Sequence, residues 1–201
     1  PPHGRGLLGL PAGADAGWWT AVQEDIRRSE HNITWQDQTD LPDLPSAYQA
    51  PNRAHGFRSY FTTEGVRVIP RTEPEPSWQW GLDLVGYGRG EIERAVEPAT
   101  LSARENRIDY ARGPITEWYL NDERGLEQGF FLQVPPATAR PGEPPDRDET
   151  SDAPPVHLTL ALRGTLVPTF GEGGAWVDFA PPEGKPVIHF AGPHVTDAQG
   201  H

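Results

Sequence analysis

A chain of 201 residues has room for one sizeable domain and can bury roughly 70% of its unfolded surface, although only 35% of its residues are apolar and its mean hydropathy is −0.63. Its formal charge of −12 and pI near 4.9 repel polyphosphates and anionic lipids, which argues against nucleic-acid and membrane-surface binding. No apolar run approaches the ~18 residues of a membrane span, and the absence of cysteine removes disulfides and thiolate metal sites.

Residues 1–17 are rich in Gly, Pro and Ala around Leu7-Leu8-Gly9-Leu10, and an extended segment lying along a surface is expected there. Over residues 18–30 the pattern becomes helical. Trp19, Val22 and Ile26 recur three and four apart, Asp15 stands where an N-cap belongs, and Glu24 precedes Arg28 by one turn. Residues 31–35 read as extended and residues 36–53 as a long irregular passage broken by Pro42, Pro45 and Pro51, packed by Leu41, Leu44 and Tyr48. Residues 57–70 read as a hairpin about Thr63-Glu64-Gly65, with Phe57, Ser59 and Phe61 on one face and Arg58 and Tyr60 on the other. Residues 78–87 form the next strand, placing Trp78, Trp80, Leu82 and Leu84 together. Gly86-Tyr87-Gly88-Arg89-Gly90 then reads as a turn. It is no dinucleotide loop, because Glu91 takes the third glycine position and Pro98 leaves no room for a helix behind it. Residues 91–101 are helix-like in composition but stopped by Pro98.

Residues 106–134 read as three strands joined at Gly113-Pro114 and Asn121-Asp122-Glu123-Arg124-Gly125, the centre of an antiparallel sheet. In the third strand Leu126, Gln128, Phe130, Leu132 and Val134 alternate with Glu127 and Gln133, so one face is built for a core. Residues 135–155 hold seven prolines and five acids in 21 positions, a loop that cannot build a core. Strands resume at 156–163, where Val156, Leu158, Leu160 and Leu162 alternate with polar or small residues, and at 166–170, 175–179 and 187–191. Their spacing of about ten residues, with 23 Pro and 22 Gly in the chain, predicts an all-β protein. The expected fold is an antiparallel β-sandwich of about nine to eleven short strands with one N-terminal helix (18–30) and long Pro-rich loops, filling residues 18–201 as a single domain. The chain starts at Pro1 without any methionine, so a processed or truncated product is expected. Residues 196–201 read as a turn whose return strand is missing, so truncation is expected at the C-terminus as well.

Three passages carry a family resemblance: Trp18-Trp19 followed by VQEDIRRSEHNITWQ, then LPSAYQAPNRAHGFRSYFTTEGVRVIPR, then NRIDYARGPITEWYLNDERGLEQGFFL. Together they resemble the N-terminal non-repeat region of large bacterial secreted proteins that carry FG-GAP (integrin-alpha-like) or related β-propeller repeats downstream. The resemblance covers residues 18–201 and implies an extracellular or cell-surface location. The repeats and their Asp-x-Asp-x-Asp-Gly calcium loops are not in this sequence.

Seven tryptophans supply two readings, core filling or stacking on sugar rings. Trp78, Trp80, Trp118 and Tyr119 are the candidate ligand-binding residues. Glu117, Glu123 and Glu127 flank the last two and suit a glycosidase acid pair, or else are a turn residue (Glu123) and solvent-facing strand residues (Glu117 and Glu127). Asp146, Asp148, Glu149 and Asp152 form an acidic loop without a calcium-loop glycine, and Asp37, Asp40 and Asp43 a second loose cluster. His157, His189 and His194 lack zinc spacing. No catalytic residue, metal site or cofactor is therefore expected. The expected function is a non-enzymatic structural or adhesive module, joined to protein partners or to further copies of itself through strand edges and the C-terminal segment. A carbohydrate-binding module is the alternative, a glycoside hydrolase the next, and neither nucleic acid nor membrane insertion is expected.

Overall fold

The computed structural model describes residues 29–136 and 154–196, together with Gly17 and Ala21. Fourteen short strands run through them: β1 (Thr34–Gln36), β2 (Ala47–Asn52), β3 (Phe57–Phe61), β4 (Gly65–Pro70), β5 (Trp80–Arg89), β6 (Ile92–Ala95), β7 (Thr100–Arg104), β8 (Arg107–Arg112), β9 (Ile115–Asp122), β10 (Gly125–Leu132), β11 (Val156–Gly164), β12 (Val167–Phe170), β13 (Trp176–Ala180) and β14 (Ile188–Ala191). Every pairing is antiparallel. Seven strands form one sheet in the order β1-β2-β3-β4-β5-β11, with β6 added to β5; β10-β9-β8-β7 form a second sheet and β12-β13-β14 a third. Because β11 takes one edge of β5 along its whole length, β4 and β6 share the other edge. The register along β11 steps between Thr159 and Leu160, which pair with Gly86 and Leu84, so Val85 bulges outward.

One core joins the three sheets. Ala50, Phe61, Val66, Val68, Trp80 and Leu82 of the large sheet meet Ile108, Tyr110 and Tyr119 of the second and Phe179 of the third. Trp80 and Phe179 touch edge to face at 5.4 Å, the contact that seats the small sheet. The opposite face of the large sheet is covered too. Ala47, Tyr60 and Ile69 pack there under Leu41 and Leu44, and the covering loop is tied down by ion pairs from Asp40 to Arg58 and from Asp43 to Arg67. At the far end two buried amides bind the large and second sheets to each other. Asn52 Nδ2 donates to Asn121 Oδ1 (2.9 Å) and to the Asp122 carbonyl (2.7 Å), while Asn121 Nδ2 donates to the carbonyls of His31 (2.9 Å) and Pro51 (3.0 Å).

The all-β class and the 106–134 meander stand as read from the sequence, but the strand count differs. The expected nine to eleven strands are fourteen, in three sheets, among the described residues. The irregular passage 36–53 contains β2, and the helix-like 91–101 contains β6 and the start of β7. Both become strands by pairing with their sequence neighbours, β2 with β3, β6 with β5 and β7 with β8, and that pairing overrides what the local composition suggests. The glycine turn at 86–90 is mostly strand. Gly86 and Gly88 lie in β5, where a Cβ would come within 2.3 Å of Glu93 Oε1 and 1.8 Å of the Ile92 carbonyl oxygen respectively, and the chain turns only at Gly90 (φ 60°). Val134 lies beyond the end of β10 and is exposed rather than core-facing. Of the predicted helix over 18–30 only Ala21, Ser29 and Glu30 are described, and the extended segment 1–17 (Gly17 apart), most of the 135–155 loop and the C-terminal turn also lie outside the described residues.

Candidate functional site

In β9 the residues Ile115, Glu117, Tyr119 and Asn121 all point into the core and their neighbours outward, so the strand places a carboxylate and a phenol where apolar side chains would be ordinary. Glu117 is fully buried, which corrects the expectation that it faces solvent. Arg112 Nε donates to Glu117 Oε2 at 3.3 Å, and Tyr119 Oη (2.7 Å) and Gln128 Nε2 (2.9 Å) donate to Glu117 Oε1. The rest of the Arg112 fork reaches across to the carbonyls of Glu64 (2.7 Å) and Glu97 (3.0 Å), and Tyr110 Oη donates to the Gly65 carbonyl at 3.2 Å. This group pins the second sheet to the β3-β4 turn and the β6-β7 connection. Glu127, the other carboxylate of the suggested acid pair, is exposed on the opposite face of its sheet. Glu117 therefore does not form a substrate-facing pair with it.

Burial first, and then the adjacent Glu117 carboxylate, push the Tyr110 and Tyr119 phenols well above the usual tyrosine range. The folded chain keeps these protons at pH values where the unfolded chain, titrating near 10, has lost them. The native state then binds more protons than the unfolded one, so stability falls as pH rises above about 10, by up to ~1.4 kcal/mol per pH unit for each phenol. Urea unfolding between pH 8 and 11 should show this fall, and Tyr119→Phe should shallow it; identical slopes in the two proteins would contradict the assignment.

The four candidate aromatics do not share a surface. Trp80 and Tyr119 are buried in the core, Trp78 packs against that core from the side, and Trp118 lies on the outer face of the second sheet, since neighbours along a strand point oppositely. Trp118 has companions there that the sequence reading passed over. Its indole covers Gly129 on the adjacent strand so closely that a Cβ at that glycine would fall 2.1 Å from Trp118 Cζ2. The Arg107 guanidinium sits 4.6 Å from the ring centroid and is itself held by Asp109, through Nε at 2.9 Å and Nη2 at 2.7 Å. Alternation in NRIDYARG already places Arg107 and Asp109 on one face; only the register of β8 with β9 shows that this is the face of Trp118.

The remaining polar clusters have structural partners. Trp35 Nε1 donates to Asp37 at 2.9 Å, Asp40 and Asp43 are taken by arginines, and His189 Nδ1 lies 2.7 Å from Asp178 Oδ1. Among the described residues no three His, Asp or Glu side chains converge on a metal-sized site, and no helix there is long and apolar enough to cross a membrane. Asp146, Asp148, Glu149 and Asp152 lie outside the described residues. Comparison of the chain with protein-family models, with curated proteins and with solved structures finds no match.

Proposed function

We propose that the chain is a non-enzymatic structural or adhesive module, secreted or held at a cell surface, whose copies join by pairing strand against strand along β11. The observation that carries this reading is the composition of that edge. β11 is nine residues long and, among the described residues, pairs on one side only, with β5. From Val156 to Leu162 it has no proline and no Asp, Glu, Lys or Arg, and Arg163 is engaged by Asp83 at 2.8 Å. Sheet edges in monomeric proteins are ordinarily blunted by lysine, proline or brevity. The other edges here are: β1 has three residues and β14 four, β6 carries Glu93 and Arg94, β7 ends in Arg104, β12 contains Pro168 and β10 carries Glu127.

Charge and packing support a second copy as the partner. Residues 153–171 hold no acid in a chain with 29, so two copies of net charge −12 repel each other least along this segment. Leu162 faces the core side with Leu82 yet is exposed, and Leu158 is only half-buried, so an added strand would extend the core over them. The bacterial FG-GAP resemblance supports the extracellular location, and the enclosure of Glu117 supports a role without catalysis. Antiparallel pairing about Leu160 sets Thr159 opposite Ala161 of the other copy, so Thr159→Lys with Ala161→Lys opposes like charges across the junction. Sedimentation over a concentration series should show the native chain associating and the double variant remaining monomeric with its melting temperature unchanged. A native chain that stays monomeric throughout, or a variant that associates equally well, would reject the reading.

A further inference from the structure

We propose that the outer face of the β7-β10 sheet binds a neutral polysaccharide. The register aligns three rows across the four strands: Arg104, Arg107, Leu120 and Glu127; Ser102, Asp109, Trp118 and Gly129; Thr100, Ala111, Thr116 and Phe131. All of these side chains are exposed or half-exposed, so the face is open to a ligand. The middle row is the built part. Gly129 leaves a shallow bed in which the Trp118 indole lies along the sheet instead of standing off it, and the Arg107 guanidinium stacks over the ring 4.6 Å from its centroid. Phe131, 61% exposed, lies two residues beyond Gly129 on the same strand and face, about 6.6 Å further along.

Asp109 Oδ1 accepts from Arg107 Nε at 2.9 Å and forms an ion pair with Nη2 at 2.7 Å. Among the described residues, its Oδ2 and the Arg107 Nη1 take no other hydrogen bond, which leaves an acceptor at one end of the pair and a donor at the other. Separate sugar hydroxyls match the two, one donating to Oδ2 and another accepting from Nη1, while the apolar face of a sugar ring rests on Phe131 beside the stack of Trp118 and Arg107. Ser102, Thr100 and Thr116 add neutral hydroxyls around them. The charges on the face cancel, Arg104 and Arg107 against Asp109 and Glu127, in a chain of net charge −12. A polyanion finds no excess positive charge here and a polycation no local acid excess, so the complementary ligand is uncharged and rich in hydroxyls.

Native electrophoresis of the full chain through gels containing β-glucan, xylan, galactomannan or amylopectin, with alginate and pectate gels in parallel, tests the site. The expected result is retardation by at least one neutral polymer and by neither carboxylated one. Asp109→Ala and Phe131→Ala should each weaken it roughly fivefold at unchanged melting temperature, as loss of one charged hydrogen bond or one stacking surface implies, and Trp118→Ala should abolish it. Because Trp118→Ala removes packing as well, the two surface variants carry the decision. Mobility unaffected by every neutral polymer, retardation confined to the carboxylated gels, or retardation that Asp109→Ala and Phe131→Ala leave intact would each overturn the proposal.

Discussion

Replacing Arg112 with alanine should destabilise the fold by about 3–5 kcal/mol, the largest effect expected of any single polar substitution here. The reason is the balance of charge in a place without water. Arg112 and Glu117 have side chains only 2% and 0% exposed, and each is the other's charged partner. Truncating the arginine leaves the carboxylate with Tyr119 and Gln128 as donors but no counter-charge, and it strips the Glu64 and Glu97 carbonyls of their donors. Replacing both members, as Arg112→Met with Glu117→Leu, removes the unpaired charge and should recover part of the loss, because burying two apolar groups costs less than burying one unpaired ion. Urea titration of the three variants measures this directly. A single-variant cost below about 1 kcal/mol, or a double variant much less stable than the single one, would show that the pair does not hold the sheets as described.

Asn121→Asp should cost about 3 kcal/mol or more at neutral pH, although it changes only one nitrogen to oxygen. Asn121 is fully buried, and its Nδ2 donates to two carbonyl oxygens, those of His31 and Pro51. An ionised aspartate places an acceptor against both, so two hydrogen bonds become two repulsions and a charge is enclosed beside the Asn52 amide. Burial raises the pKa of such a carboxyl, so it takes up a proton as pH falls, and the neutral acid can donate one of the lost bonds. The gap between variant and native chain should therefore narrow on acidification. Thermal melts at neutral and mildly acidic pH test this, and a gap that is absent at neutral pH or widens with acid would contradict it.

The effects of both substitutions explain how far the sequence could be read. Alternation made β8, β9 and β10 legible, because one turn and the next strand suffice to place their faces. It also showed that Glu117 shares a face with Tyr119, but a glutamate at an inward position reads as a solvent-facing residue until its partner is known. That partner, Arg112, lies in the adjacent strand with its fork on carbonyls 48 and 15 residues away. The same holds for Asn52 and Asn121, which are 69 residues apart.

The sequence by itself determined the all-β class, the central meander and the alternation of its faces, since these follow from side chains at every second position and from local turn chemistry. Only the tertiary structure decided that the described residues form three sheets, that Trp80 and Tyr119 turn inward while Trp118 lies on the outside, and that β11 is an edge among those residues. Each of those depends on which remote segment pairs with a strand or packs on its face, and such contacts leave no local mark on either segment.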